Sequence, residues 1–204
     1  MEVFIFEPKE HFLSNMYIIY SGNEAAVIDP SQKFDQVKDA LQAYGLTFKY
    51  IFVSHAHFDH ILAIDNWVEK TGAEVICGFE DAEALSNSSL NCYYRFLRRD
   101  MGYYGEYTAV VDGDVLKLGD ENITVISTPG HTRGSITLKT DDLLFVGDVI
   151  FENGNYGRYD LPGGDAYTLA LSISKLCDLN ENLTVYSGHG PKTTIKEYKK
   201  HRRI

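Results

Sequence analysis

The chain has 204 residues, of which 44% are hydrophobic and 24% are charged, a composition typical of one soluble globular domain with a substantial core. Its formal net charge is −10, so its surface repels nucleic acid and anionic lipid, and neither is an expected partner. We therefore expect a small-molecule substrate, no nucleic-acid partner and no membrane partner.

The cysteines and the N-terminal segment indicate the compartment. The three cysteines, Cys77, Cys92 and Cys177, are odd in number and irregularly spaced, which argues against a disulfide framework and for a reducing environment. The first residues include acids and lack the long apolar run of a signal peptide, and no stretch is long and apolar enough to span a bilayer. The sequence predicts a cytoplasmic protein whose oligomeric state is left open.

The first half of the chain alternates apolar strands with amphipathic helices. Its predicted elements, in order, are two strands within 16–28, a helix over 34–45, a strand at 50–53, a helix over 61–72 and a strand at 74–77. The segment 86–107 is rich in Tyr and Asn and only weakly periodic, and it is interpreted as an excursion from the core.

The second half is dominated by strands. Its predicted elements are strands at 115–118, 123–126, 136–139, 143–146 and 183–186, and a helix over 166–176 with Asp165 as N-cap. No low-complexity linker divides the chain, so residues 1–204 are expected to form a single α/β domain in which helices cover a sheet core.

Histidine and aspartate residues follow four of the predicted strands, each after a short break of small residues or Pro-Gly. The densest group is Ser54-His55-Ala56-His57-Phe58-Asp59-His60, and His131, Asp148 and His189 each follow a later strand. Strand ends of an α/β protein meet at one edge of the sheet, where loops carry function, so these side chains are expected to converge. By contrast, His11 and His201 stand alone and are interpreted as solvated or structural residues.

The converging set is large enough for two metal ions. It comprises five imidazoles and two carboxylates: His55, His57, Asp59, His60, His131, Asp148 and His189. In His55-Ala56-His57 the two rings point to the same side of an extended loop and can chelate one ion, whereas Asp59 and His60 are displaced toward a second ion. Asp148, with two oxygens, is the natural bridge. Asp29, before Pro30, either caps a turn or supports the cluster from behind.

These motifs resemble those of the metallo-β-lactamase superfamily. His55-Ala56-His57-Phe58-Asp59-His60 is similar to its H-x-H-x-D-H motif, and the single His131, Asp148 and His189 follow in the family's order. The resemblance runs from about residue 15 to residue 194 and implies a four-layer αββα sandwich with a dinuclear site at one edge. It implies further that His55, His57 and His131 hold one metal, that Asp59, His60 and His189 hold the other, and that Asp148 bridges them.

Details of the sequence narrow the resemblance to glyoxalase II-like hydrolases. Asp148 stands where true β-lactamases have a cysteine, and His57 stands where flavodiiron reductases have a carboxylate. GRYDLPGGD at 157–165 and GHGPKTTI at 188–195 look like motifs of hydroxyacylglutathione hydrolases. Two departures are Ile61-Leu62-Ala63 in place of the usual glycine pair, and the 15 residues after His189, which leave no room for the helical domain that contributes glutathione contacts in full-length enzymes.

The resemblance implies a metal-dependent hydrolase that cleaves a thioester or ester, for example a hydroxyacyl-glutathione, with a metal-activated hydroxide. Asp59 would orient the hydroxide and accept its proton. The cofactors implied are two divalent ions, Zn²⁺ first, with Fe or Mn as alternatives because mixed nitrogen and oxygen ligation suits all three. Lactone hydrolysis and persulfide dioxygenation by a single iron are the alternative functions.

Two expectations concern loops near the predicted site. Tyr103 and Tyr104 lie between Gly102 and Gly105, a stretch able to bend over the site, so they are predicted to border the substrate pocket. The neighbouring Tyr93, Tyr94 and Leu97 are interpreted as an ordinary packed helix face. Asp160 is expected to hold its loop through Arg158 and not to contact metal.

Overall fold

The computed structural model describes residues 1–8, 10 and 12–202, and His11 therefore lies outside the described residues. The strands are β1 Glu2–Phe6, β2 Met16–Ser21, β3 Glu24–Ile28, β4 Thr47–Val53, β5 Glu74–Gly78, β6 Thr108–Val110, β7 Val115–Leu118, β8 Glu121–Ser127, β9 Ile136–Lys139, β10 Leu143–Gly147, β11 Thr184–Ser187 and β12 Thr193–Thr194. The α-helices are α1 Phe34–Leu41, α2 Phe58–Ile61, α3 Ile64–Thr71, α4 Ala82–Ser86, α5 Tyr93–Leu97, α6 Ala166–Cys177 and α7 Ile195–His201. No described helix combines the length and apolarity that a bilayer span requires.

The strands form two six-stranded mixed sheets whose order follows the chain. The first sheet runs β1-β2-β3-β4-β5-β6, antiparallel up to β3 and parallel from β3 to β6. The second runs β12-β11-β10-β9-β8-β7, antiparallel except for the parallel pair β10–β11. The strands that precede the predicted site residues therefore lie inside the sheets and not at their edges.

Alternating side chains of the strands divide the interior into three apolar layers. In β2, Met16 and Ile18 pack with Trp67 under α1 and α3, whereas Tyr17 and Ile19 point into the layer between the two sheets. A third layer lies between the second sheet and helices α6 and α7. Because a strand presents successive side chains to opposite faces, a sheet buried on both sides needs apolar residues at consecutive positions, as β2 has. The result is the predicted αββα sandwich.

Most predicted elements of regular structure are confirmed, with one helix divided. The side chain of Asp165 accepts a hydrogen bond from the Thr168 amide (2.8 Å) and caps α6 as expected. The helix predicted over 61–72 is observed as α3, and Ile61 belongs instead to the separate helix α2, because the backbone leaves the helical region at Ala63 (φ −110°, ψ 15°). The Ala63 amide donates to the carbonyl of Pro30 (2.8 Å), so the break fastens this segment to the loop after β3.

The segment 86–107 lies only partly outside the core, contrary to the interpretation of the whole segment as an excursion from it. Tyr103 is 5% exposed and packs in the layer beneath α1 and α3, and its amide donates to the Leu85 carbonyl (2.7 Å). The interpretation of Tyr93, Tyr94 and Leu97 as a packed helix face is wrong for Tyr94 and Leu97, which are 47% and 44% exposed. Helix α5 has five residues and is too short to bury a continuous face, so its apolar side chains remain at the surface.

Candidate metal centre

The predicted site residues come together at one edge of the sandwich. His55 and His57 lie in the loop after β4, and Asp59 and His60 lie in α2, which follows that loop. The second sheet contributes His131 after β8, Asp148 after β10 and His189 after β11. Four strand ends therefore bring ligand-type side chains from both sheets to one place.

His55, His57 and His131 form a compact triangle of ring nitrogens. His57 Nδ1 lies 3.1 Å from His55 Nε2 and 2.9 Å from His131 Nε2, and the two Nε2 atoms lie 3.2 Å apart. An imidazole nitrogen carries either a hydrogen or a lone pair, so three such atoms do not all satisfy one another. Metal–nitrogen bonds of about 2.0–2.1 Å place neighbouring ligand nitrogens roughly 2.9–3.4 Å apart. The triangle fits one metal ion.

A second group surrounds His60. His189 Nε2 lies 3.2 Å from Asp59 Oδ2, and His60 Nε2 lies 3.7 Å from the same oxygen. Asp59, His60 and His189 offer ligand atoms within 4.8 Å of one another. This arrangement fits a second ion next to the triangle.

Asp148 lies between the two groups. Its Oδ1 is 3.5 Å from His60 Nε2, and its Oδ2 is 3.6 Å from both His131 Nε2 and His189 Nε2. His60 Nε2 and Asp148 Oδ1 are buried without a hydrogen-bond partner, although unpartnered buried polar atoms are costly. A cation between them would satisfy both atoms, which supports the fit of a metal to this group.

The histidines of the cluster differ in pKa. Burial lowers the pKa of some of them, whereas neighbouring carboxylates raise the pKa of another. Burial, together with the nearby His131, lowers the pKa of His57 to about 3, and burial also lowers the pKa of His55 well below its usual value. These rings are neutral and offer lone pairs. Burial also disfavours charge on His60, but the carboxylates of Asp29, Asp59 and Asp148 outweigh it and raise its pKa to about 10. The second group therefore favours a positive charge, carried by a proton or by a metal ion.

Asp29 accepts hydrogen bonds from His60 of the cluster and from Ser54 beside it. Its Oδ2 accepts a hydrogen bond from His60 Nδ1 (2.9 Å), so the Nε2 atom of this ring faces the site. Oδ1 accepts from the Ser54 amide (2.7 Å) and Oδ2 from the Ser54 hydroxyl (2.7 Å). Asp29 has φ 54°, an uncommon conformation for a residue other than glycine, and this fold holds it there with three hydrogen bonds.

The loop that contains Arg158 orients His131. The Arg158 carbonyl lies 2.7 Å from His131 Nδ1 and accepts its hydrogen, which leaves Nε2 of the same ring free to face the cluster. The guanidinium of Arg158 donates to both carboxylate oxygens of Asp160, at 2.7 Å and 2.8 Å. The expectation that Asp160 holds this loop through Arg158 agrees with that geometry.

Asp81 was not predicted from the sequence, although it connects the two ligand loops. It is 3% exposed and accepts hydrogen bonds from the Ala56 amide (2.9 Å), the Thr132 hydroxyl (2.8 Å) and the Gly134 amide (2.7 Å). Burial raises the pKa of this carboxyl even though the three donors oppose the shift. Its position shortly after β5, at the same sheet edge as the other loops, is the signal that could have identified it.

Asn15 is a second residue that the sequence did not single out. Its side-chain amide donates to the carbonyls of Ser187 (3.1 Å) and Gly190 (2.8 Å), on either side of His189. Its backbone amide donates to the Gly188 carbonyl (2.7 Å). Asn15 therefore anchors the loop of His189 to the start of β2 in the other sheet.

The position before His189 is occupied by Gly188, and the surrounding side chains leave no room for a larger residue. A Cβ atom at this position would collide with Asp148 Oδ1 and come within 2.6 Å of His60 Cε1. Any larger residue would therefore displace Asp148 or His60.

A cavity of about 560 Å³ opens over the cluster. His57, Asp59, Asp148, His131 and His189 lie along one side, and apolar side chains form most of the remaining wall. Its size is within the range of cavities that hold small organic ligands.

The prediction that Tyr103 and Tyr104 border this cavity is contradicted by the structure. Neither residue belongs to the described lining. The hydroxyl of Tyr103 donates to the Glu106 carbonyl (2.8 Å) beside its buried ring, and Tyr104 is 79% exposed elsewhere on the surface. The glycines around them let the chain fold back on the Tyr103 ring, since a Cβ at Gly105 would collide with it. Helix α5, and not the 102–105 turn, provides an aromatic side chain to the cavity, that of Phe96.

Comparison with known proteins places the chain among metallo-hydrolases. A sequence model of the metallo-beta-lactamase superfamily matches residues 11–189. A probable metallo-hydrolase of Bacillus subtilis is 36% identical over 191 residues, covering 89% of this chain and 87% of that protein. The hydroxyacylglutathione hydrolase GloC of Haemophilus influenzae is 31% identical over 198 residues, covering 95% of this chain and 93% of that protein.

Solved structures share the whole architecture. The BLEG-1 B3 metallo-beta-lactamase superposes with a TM-score of 0.91 at 31% identity and covers 99% of this chain and 98% of its own. The protein TTHA1623, solved in a di-iron-bound form, superposes with a TM-score of 0.85 at 27% identity and covers 98% of each chain. The fold therefore has close structural counterparts.

Proposed function

Because the chain belongs to the metallo-β-lactamase superfamily and is a metallo-hydrolase, we propose that it cleaves a thioester or an ester with two divalent metal ions. The observation that carries the proposal is the presence of two ligand groups beside one cavity, with Asp148 between them. Relatives named as hydrolases support the reaction class, and the relative named hydroxyacylglutathione hydrolase makes a hydroxyacyl-glutathione the first thioester to test.

In this proposal, His55, His57 and His131 would hold one ion, Asp59, His60 and His189 would hold the other, and Asp148 would contribute to both sites. When bound, such ions lower the pKa of a water molecule and polarise the carbonyl of the substrate. His55 and His57 suit this role because burial lowers their pKa and keeps both rings neutral at physiological pH. Zn²⁺ is the first candidate, while iron and manganese suit the same mixture of nitrogen and oxygen ligands.

Asp59 is the proposed catalytic residue. Burial opposes its ionisation, but His60 and His189 outweigh that effect and lower its pKa to about 2, so it is a carboxylate at neutral pH. It lies at the boundary between the ligand cluster and the cavity, where it can accept a hydrogen bond from an attacking water and then take its proton. No serine or cysteine nucleophile is required.

The test combines metal analysis with a panel of substrates. Protein loaded separately with zinc, iron or manganese is assayed with thioesters, esters, lactones and glutathione persulfide, and oxygen consumption is followed with the last. We expect two ions per chain and hydrolysis of thioesters or esters. Saturation at one iron per chain with consumption of oxygen would favour a persulfide dioxygenase, and preference for lactones would favour a lactone hydrolase.

An Asp59→Asn variant separates catalysis from metal binding at the first group. It should keep the ion held by the three histidines and lose turnover, whereas Asp39→Asn, an exposed carboxylate of α1, should change neither. Normal turnover by Asp59→Asn would contradict the role proposed for this carboxylate.

A further inference from the structure

Apart from the ligand-type residues, the wall of the cavity is mostly apolar. The side chains that form it come from five separate parts of the chain: Phe12, Phe58, Phe96, Leu97, Phe151 and Leu161. Phe12, Phe96 and Leu97 are 49%, 50% and 44% exposed, although large apolar side chains are normally covered. Apolar side chains from separate segments that surround one cavity indicate a binding surface for an apolar group.

The charges around the cavity argue against a strongly polar ligand. Arg158 is the one cationic side chain other than histidine among the described residues that line it. Its guanidinium already donates two hydrogen bonds to Asp160. The glutathione part of a thioester carries two carboxylates and one ammonium, and these groups need charged or hydrogen-bonding partners when they leave water. Apart from the ligand-type residues, the wall offers few such partners.

We propose that the substrate is an ester or thioester whose acyl group is large and apolar, a branched, aromatic or medium-length aliphatic chain. The carbonyl lies at the edge formed by Asp59 and Asp148, and the acyl group fills the space between Phe96 and Phe151. This inference rests on the proposed hydrolase function and adds the class of substrate to it. Selection arises because each buried methylene gains hydrophobic free energy that a short hydroxyacyl group lacks.

The experiment uses the metal-loaded protein and keeps one leaving group, N-acetylcysteamine, within the acyl series. Thioesters of N-acetylcysteamine with acetyl, butanoyl, hexanoyl and phenylacetyl groups are compared with S-lactoylglutathione. We expect kcat/KM to rise roughly two- to fourfold for each added methylene until the cavity is filled. S-lactoylglutathione should be a poorer substrate than the hexanoyl thioester. A flat or falling series, or a preference for S-lactoylglutathione, would overturn the inference and leave the hydrolase function standing.

Variants of the wall show where the acyl group binds. Phe96→Ala and Phe151→Ala should weaken the dependence on chain length and leave the metal content unchanged. Phe79→Ala is the matched control, because Phe79 is 61% exposed and does not belong to the lining. Equal dependence on chain length in the wild type and in both wall variants would contradict the proposed location.

A binding measurement keeps the two proposals separable. The dissociation constants of acetate, butanoate, hexanoate and phenylacetate, which resemble the acyl products, are measured by calorimetry on the metal-loaded protein. We expect tighter binding as the apolar group grows, and a smaller gain in Phe96→Ala. If no thioester or ester is cleaved, the proposed hydrolase function fails, and the binding series still decides the inference, since binding independent of chain length would refute it.

Discussion

The ligand cluster and the apolar wall of the cavity are built in opposite ways. His55, His57, His60 and His131 are at most 4% exposed, and most of their rings are held by hydrogen bonds from behind. In the wall, Phe12, Phe96 and Leu97 are about half exposed and come from loops and from the short helix α5. The cluster is thus rigid where chemistry needs defined geometry, whereas the wall can change in sequence with little cost to the fold.

Asp148→Asn should have the largest effect, because it removes one charge and one anionic oxygen from between the two ligand groups. We expect weaker binding of at least one metal ion and a decrease in kcat of roughly a thousandfold or more. Elemental analysis and steady-state kinetics measure both. Asp141→Asn, an exposed carboxylate just before β10, is the control. A variant with two bound ions and near-normal turnover would exclude the bridging role.

The two ligand groups should also differ in how their metal affinity depends on pH. His60, with its pKa raised to about 10, carries a proton at neutral pH that a metal must displace, so affinity should rise about tenfold per pH unit below that value. His57, with its pKa lowered to about 3, has no such proton above pH 5, and burial likewise lowers the pKa of His55, so the metal affinity of the first group should depend less steeply on pH. Competition with a coloured chelator at pH 6.5, 7.5 and 8.5 resolves the two steps. Equal slopes would contradict this difference.

Asp29→Asn tests whether the charged hydrogen-bond partner of His60 affects metal binding as strongly as the ligand-type residues do. An amide can still accept a hydrogen bond, but it no longer places a negative charge beside His60. We expect metal affinity or activity to fall about 10- to 100-fold. Asp35→Asn, at the exposed start of α1, should have no such effect. Unchanged metal affinity in Asp29→Asn would mean that Asp29 only caps the turn before Pro30.

Asp81→Asn should affect stability more than chemistry. A carboxylate accepts all three hydrogen bonds from Ala56, Thr132 and Gly134, whereas one end of an amide would face a donor. We expect the free energy of unfolding to fall by about 2–4 kcal/mol, as measured by urea denaturation. A stability equal to that of the wild type would mean that the two loops hold their places without Asp81.

The smallest effect is expected from Asp160→Asn, which changes the hydrogen-bond partner of Arg158 in the cavity wall. The change releases the guanidinium of Arg158, so the wall gains a cation free to bind an anion. Activity toward S-lactoylglutathione should rise relative to the hexanoyl thioester, with little change in metal content or in stability. A ratio of activities equal to that of the wild type would show that Arg158 does not meet the substrate.

The sequence was most informative where a residue and its immediate neighbours alone determine where the side chain lies in the fold. The seven ligand-type residues stand next to apolar strands, and strand ends meet at one edge whatever the details of packing. Asp81 and Asn15 were missed because their partners lie far away in sequence, up to 53 residues for Asp81 and 175 for Asn15. Tyr103 was assigned wrongly because flanking glycines permit a bend but do not determine its direction, and burial of the ring turned it inward.

The order of strands has a consequence for how the chain folds. The first sheet uses residues up to 110 and the second begins at residue 115, so each sheet assembles from one continuous half of the chain. Pairing within a half needs shorter loop closures than pairing across the whole chain, which favours two folding units that dock afterwards. The ligand cluster draws on both units and is complete only after docking. Metal should therefore bind late and hold the halves together, so a chelator should speed unfolding of the native protein more than it slows refolding.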